Sequence, residues 1–167
     1  MSTIFSENIF ARFRDQFQPF LAELDIPETI FTRPDIEITD VKYTELLESV
    51  GREANPHIGL NLGESLDPRD LGVLGHAVGA AATIGEALTL FSRYLYVLSQ
   101  SNTIRLDIGE AGVVCTYTVT ILQPNLVRQD AEFALAVISS LIRKLSGRRF
   151  SPQLVEFSHS KFSDTRA

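Results

Sequence analysis

The chain has 167 residues, 44% of them apolar and 22% charged, which is enough for one hydrophobic core and too apolar for an intrinsically disordered segment. Its 21 acidic against 15 basic residues leave a net charge of −6. That balance argues against a nucleic-acid surface, because phosphate affinity rests on clustered Lys and Arg. A single cysteine, Cys115, excludes an internal disulfide framework and fits a reducing compartment, the cytoplasm.

The amino terminus, MSTIFSENIFARFRDQF, has neither the basic start nor the unbroken apolar centre of an export signal. The longest uncharged run, Leu71 to Gly85, falls short of the roughly 20 residues that span a bilayer. No membrane partner is expected.

In the first segment Phe10, Phe13, Phe17, Phe20 or Leu21, and Leu24 recur at steps of three and four, predicting a helix with an aromatic core face that Pro19 bends or divides. Residues 25–40, with Pro27 and Pro34, read as a connector holding at most one helical turn. A second helix begins at Thr39 or Asp40 and should bury Val41, Leu46, Leu47 and Val50, ending at Gly51 or at Asn55-Pro56. A short helix over 57–63 follows.

Asp67-Pro68 starts the next helix, about 68–81, with proline at the first helical position. Gly72, Gly75 and Gly79 lie inside it, and each costs about 1 kcal/mol relative to alanine in a helix interior. Close approach of another backbone would compensate, so Gly75 and Gly79 are the candidate interface positions. A phosphate-binding loop would need a strand-glycine-helix order and a lysine that are missing.

Thr83 with Glu86 forms a capping box for a third long helix, whose inner face carries Ile84, Leu88, Phe91, Leu95 and Leu98 with Tyr94 on its shoulder. Beyond Asn102 the apolar period changes from 3.6 to 2, predicting a hairpin over about 103–121 that turns at 109–112. Cys115, Tyr117 and Val119 share one face of its second strand. The longest helix should run over 126–146 and end at Gly147, burying Val127, Ala131, Ala134, Ile138, Leu141 and Leu145, with Arg128 and Glu132 paired on a solvated face. A last strand is expected over about 154–159, with Val155, Phe157 and His159 on one side.

Chemistry-bearing motifs are sparse. His57, His76 and His159 have no zinc-ligand spacing with one another or with Cys115, and no G-x-S-x-G elbow is present. Neither a catalytic residue, a metal nor a cofactor is expected. Tyr94, Tyr117, Phe157 and His159 are the candidate ligand contacts. The tyrosines offer apolar area with a polar tip, which suits a pocket and a core equally, and His159 continues an apolar strand face where an imidazole needs a partner.

Four pieces in order carry a resemblance: Pro56-His57-Ile58-Gly59-Leu60 with Leu62-Gly63; Leu71-Gly72-Val73-Leu74-Gly75; Thr83 followed by Gly85-Glu86-Ala87-Leu88; and Phe157 with His159, with Arg128-Gln129 also matching. Together they resemble the amino-terminal sensory domain, of the arabinose-binding-domain type, of AraC/XylS-type transcriptional regulators. The similarity covers about residues 27–159, and with the pattern read above it fits a single α+β domain over 1–167, rich in helix, with a small antiparallel sheet (the hairpin over about 103–121 and the strand over about 154–159) packed by long helices. It further implies a small-molecule effector, a homodimer, and DNA contact only through a carboxyl-terminal helix-turn-helix module that this chain does not contain. A ligandless dimerisation module is the alternative.

Overall fold

A computed structural model describes residues 2–4, 7–33, 36–110, 112–120 and 127–160. In chain order it holds strand β1 (Ser2–Ile4), helices α1 (Glu7–Ala11) and α2 (Arg14–Leu21), strand β2 (Glu37–Thr39), helices α3 (Asp40–Glu53), α4 (Ile58–Ser65), α5 (Gly72–Gly79) and α6 (Ile84–Tyr94), strands β3 (Asn102–Gly109) and β4 (Gly112–Val119), and helix α7 (Arg128–Ser146). The class is α+β and helix-rich. Both sheets are antiparallel pairs, β1 with β2 and β3 with β4. The first pair escapes sequence reading because strands of three residues show no alternation.

The aromatic stripe is core: Phe10 and Phe17 are buried and meet edge to face at 5.3 Å. The division of the first segment falls at Arg12 and Phe13 rather than at Pro19, which sits inside α2. An exposed proline in a two-turn helix removes a single backbone bond. Arg12 meanwhile reaches away to donate to Ser65 O at 2.7 Å and to Asp70 Oδ1 at 2.9 Å.

Thr39 Oγ1 accepts from Lys42 N and caps α3 as its residue type favours. Tyr43, Leu46, Leu47 and Val50 form the buried stripe of this helix, while Val41, one position off that stripe, is 42% exposed. Its inner face and that of α4 pack on α7. A Cβ at Gly59 would stand 2.1 Å from Gln129 O, and one at Gly63 would stand 2.5 Å from Ala136 Cβ. The α4–α7 contact therefore requires glycine at both places.

Gln129 locks this contact. Its side chain accepts from Gly59 N at 2.9 Å and donates to Pro56 O at 3.0 Å, while Glu48 Oε1 accepts from its backbone N–H at 2.7 Å. Free N–H groups at the starts of α4 and α7 are thus satisfied by side chains, and Glu48 brings a negative charge to the positive end of α7.

The helix expected over 68–81 is divided into a 3-10 turn at Pro68–Leu71 and α5, with Gly72 between them at φ 58°. Asp67 and Asp70 form a capping box around Pro68. Gly75 is buried because its Cβ would meet Pro68 O at 1.6 Å, so the close backbone is that of the preceding turn. Gly79 is exposed and nothing lies within 4 Å of its Cβ position. For α6, Thr83 Oγ1 accepts from Glu86 N and Glu86 Oε2 accepts from Ala82 N, a box shifted by one residue from the expected return bond.

The hairpin registers Asn102 with Val119, Ile104 with Tyr117 and Leu106 with Cys115. These residues form its half-buried face, and Ile108, Val113 and Val114 at its tip are exposed. Ile121 and the start expected for the last helix at 126 lie outside the described residues. Gly147 ends α7 in the left-handed conformation. The strand expected over 154–159 is not formed: the segment has no ladder partner among the described residues, and Leu154 is 73% exposed. Without a neighbouring strand or a buried alternate face, nothing fixes an extended segment as sheet.

One cluster of buried apolar side chains runs from Ile9 to Leu141. None of the described helices is long and apolar enough to cross a membrane.

Candidate ligand-binding cavity

The core is incomplete where the inner face of the hairpin meets α3, α6 and α7. The gap has a volume of about 60 Å³ and is open at its mouth. That is room for a few waters, while a cavity that admits benzene measures about 150 Å³, so a small organic guest enters through the open mouth and with some side chains shifting aside.

Its walls are mostly apolar: Ile9, Leu66, Leu71, Phe91, Leu95, Leu98, Ile104, Phe133, Ala134 and Val137. Six polar residues complete the lining, Tyr43, Asp70, Ser99, Asn102, Tyr117 and Asp130. An apolar wall with a few convergent polar groups is the common composition of a small-molecule site.

Asp130 is the chemical centre. It lies on the first turn of α7 and is 2% exposed. Tyr117 donates its hydroxyl to Asp130 Oδ2 at 2.6 Å, and Tyr43 bonds to the same carboxylate. Burial raises the Asp130 pKa to about 6, the two tyrosine bonds oppose that rise, and the neighbouring carboxylates of Asp40 and Glu48 add to it. Both phenols are pushed well above their ordinary range, first by burial and then by the Asp130 charge, so they remain neutral donors. Burial also raises the pKa of Glu48.

The second lining carboxylate, Asp70, is already satisfied by Arg12 at 2.8 Å and by Asp67 N at 2.8 Å. Ser99 Oγ and Asn102 Oδ1 are buried and have no hydrogen-bond partner among the described residues. Buried polar atoms are paired in the large majority of cases, and two orphans on one cavity wall mark where a bound molecule would supply the partner.

Of the sequence-derived candidates, the cavity lining includes Tyr117 and leaves out the other three. Tyr94 ends α6 on the outer surface, 38% exposed, with its ring 6.4 Å from that of Tyr96. Phe157 and His159 lie together, ring centroids 4.7 Å apart, on the other side of α7. There His159 Nε2 is 3.9 Å from Glu132 Oε1, which also accepts from Arg128 Nε at 2.9 Å. The Arg128–Glu132 pair is present, yet its side chains are only 15% and 9% exposed, so this face is covered rather than solvated. Cys115 is half-buried on the hairpin and burial raises its thiol pKa. Among the described residues no cluster of metal-ligating side chains occurs.

Sequence reading missed Tyr43, Asp70, Ser99, Asn102 and Asp130. A usable signal exists for two of them. Tyr43 shares helical spacing with Leu46, Leu47 and Val50, and Asp130 with Ala134, Val137 and Leu141, so each is a polar residue inserted in an apolar stripe.

Comparison with known proteins agrees with this architecture. Residues 16–167 match the family described as the arabinose-binding domain of AraC transcription regulators, at their amino-terminal end. The HTH-type transcriptional regulator VirS of Mycobacterium tuberculosis, in strains CDC 1551 / Oshkosh and ATCC 25618 / H37Rv, is 29% identical over 155 residues. That alignment covers 89% of this chain and 45% of VirS, so the chain spans just under half the length of these relatives. The family is a transcription-regulator domain and not an enzyme.

Proposed function

Because the chain belongs to the family of amino-terminal arabinose-binding domains of AraC transcription regulators, we propose that residues 1–167 act as one effector-sensing domain, taking a small metabolite into the cavity beside Tyr117 and Asp130. The observation that carries this reading is the apolar gap with buried, unpartnered polar atoms on its wall. The ligand would bridge the hairpin and α7, which are joined there by the Tyr117–Asp130 bond.

A ligand shifts an equilibrium only by its difference in affinity between two states. The two states would be arrangements of a homodimer, or of this domain against a DNA-binding domain outside the chain, in the cytoplasm. The Tyr117–Asp130 link gives the ligand a lever on the hairpin, whose tip exposes Ile108, Val113 and Val114.

The same exposed tip supports a second reading, a ligandless dimerisation module, since a hairpin that is partly apolar and has no further strand beside it among the described residues recruits partners. Native mass spectra of the purified chain, with and without a mixed metabolite panel, separate the two. A discrete small mass on the folded protein supports the sensor. A dimer that ignores every metabolite supports the assembly module.

A further inference from the structure

The cavity has a one-sided charge. Among the 16 described residues that line it are two carboxylates, Asp70 and Asp130, and no Lys, Arg or His. Asp70 is neutralised by Arg12. Asp130 takes part in none of the ion pairs seen among the described residues, and the main influences on it are burial, two tyrosines and two more carboxylates, Asp40 and Glu48.

A carboxylate has about four acceptor positions. Tyr117 and Tyr43 use two at Asp130. Asn102 Oδ1, on the hairpin wall, is a further buried acceptor without a donor. What the wall offers a guest is therefore negative charge, acceptors and one hydroxyl, Ser99, that can act either way, set among Phe91, Leu98, Ile104 and Val137.

We infer that the effector carries a protonated amine on a largely apolar body, and that the cavity turns away carboxylates of the same skeleton. The inference rests on the sensor reading. An ammonium brings three donors and the missing positive charge. An anionic guest brings no donor and sets a second uncompensated negative charge beside Asp130, which a site of low dielectric opposes. The tyrosine hydroxyls are already committed to Asp130, so the Ser99 hydroxyl, which can donate or accept, is the one buried unpartnered donor among the cavity's described residues that an anion could use, against the nearby Asp130 charge. At neutral pH most Asp130 is ionised even at its raised pKa of about 6.

Two matched sets test this: 2-phenylethylamine, 2-phenylethanol and 3-phenylpropanoate, and octylamine, octanol and octanoate. Each is titrated at neutral pH into the 167-residue chain, followed by methyl NMR at Leu98, Ile104 and Val137. In at least one set the amine is expected to bind about tenfold or more tightly than its acid. Asp130→Asn, which keeps the shape and removes the charge, is expected to erase most of that ratio. Acids that bind as tightly as their amines overturn the inference and leave the sensor reading standing. The same holds for an amine preference that survives in Asp130→Asn. If no probe shifts any of these methyls at millimolar concentration, both the inference and the cavity reading fall.

Discussion

Tyr117 Oη donates to Asp130 Oδ2 at 2.6 Å and so ties the second strand of the hairpin to the first turn of α7. Both residues are buried or nearly so, and this bond is the polar link across the cavity wall.

Removing the hydroxyl isolates the effect of that link. Tyr117→Phe leaves the ring in place and strips one donor from a buried carboxylate, which should cost about 1–3 kcal/mol of stability. Because the bond favours the ionised form, its loss should also raise the Asp130 pKa further. Urea unfolding measures the first effect, and carboxyl NMR titration the second. Unchanged values in both would mean that the two groups do not interact.

The Asp130 titration has a defined sign. Its folded pKa of about 6 lies above the ordinary 3.8, so between these values the folded chain holds more protons than the unfolded one. The stabilising contribution of the protonated carboxyl is complete below the lower value and is lost as the pH rises through the upper. Two pKa units correspond to roughly 3 kcal/mol. The stability of wild type minus that of Asp130→Asn is therefore expected to fall by about this amount from pH 4 to pH 7. Denaturant midpoints at a series of pH values check it, and a difference that stays flat or rises contradicts the assignment.

The glycines divide into two kinds with opposite expected outcomes. Gly59→Ala drives a Cβ to 2.1 Å from Gln129 O and must push α4 off α7, a cost of about 1–3 kcal/mol or more. Gly79→Ala meets nothing within 4 Å and should stabilise α5 by about 0.5–1 kcal/mol through helix propensity and reduced unfolded-state entropy. Thermal melts of the two variants should move in opposite directions.

Gln129→Ala removes the acceptor for Gly59 N and one of the donors to Pro56 O at once. A buried N–H left without a partner costs about 1–3 kcal/mol. Amide hydrogen exchange at Gly59 should accelerate more than exchange in α2, which does not share these bonds. Equal acceleration in both helices would show that Gln129 acts on the fold as a whole.

Elements with a strong period were legible in the sequence: the aromatic stripe around Phe10 and Phe17, the cap at Thr39, the hairpin, and the glycine end of α7. The division at Gly72 was not, because a positive φ at one glycine is a tertiary outcome that a helical pattern of Leu, Val and Ala does not reveal. Neither was the irregular path of 154–159, where an alternating pattern has no sheet to join among the described residues. Tyr117 was legible as an inward tyrosine of the hairpin. Asp130 went unremarked because it lies at the edge of the expected stripe, three residues after Val127 and four before Ala134, where a carboxylate in the first helical turn reads as an ordinary solvated charge.

The most direct measurement takes a metabolite found to bind and titrates it calorimetrically into wild type and into Ala134→Leu, whose longer side chain fills the cavity from α7. With the variant folded by its melting curve, binding should be lost or weakened at least about tenfold. Equal affinity in the two proteins would place the ligand elsewhere and contradict the assignment of this cavity as the sensing site.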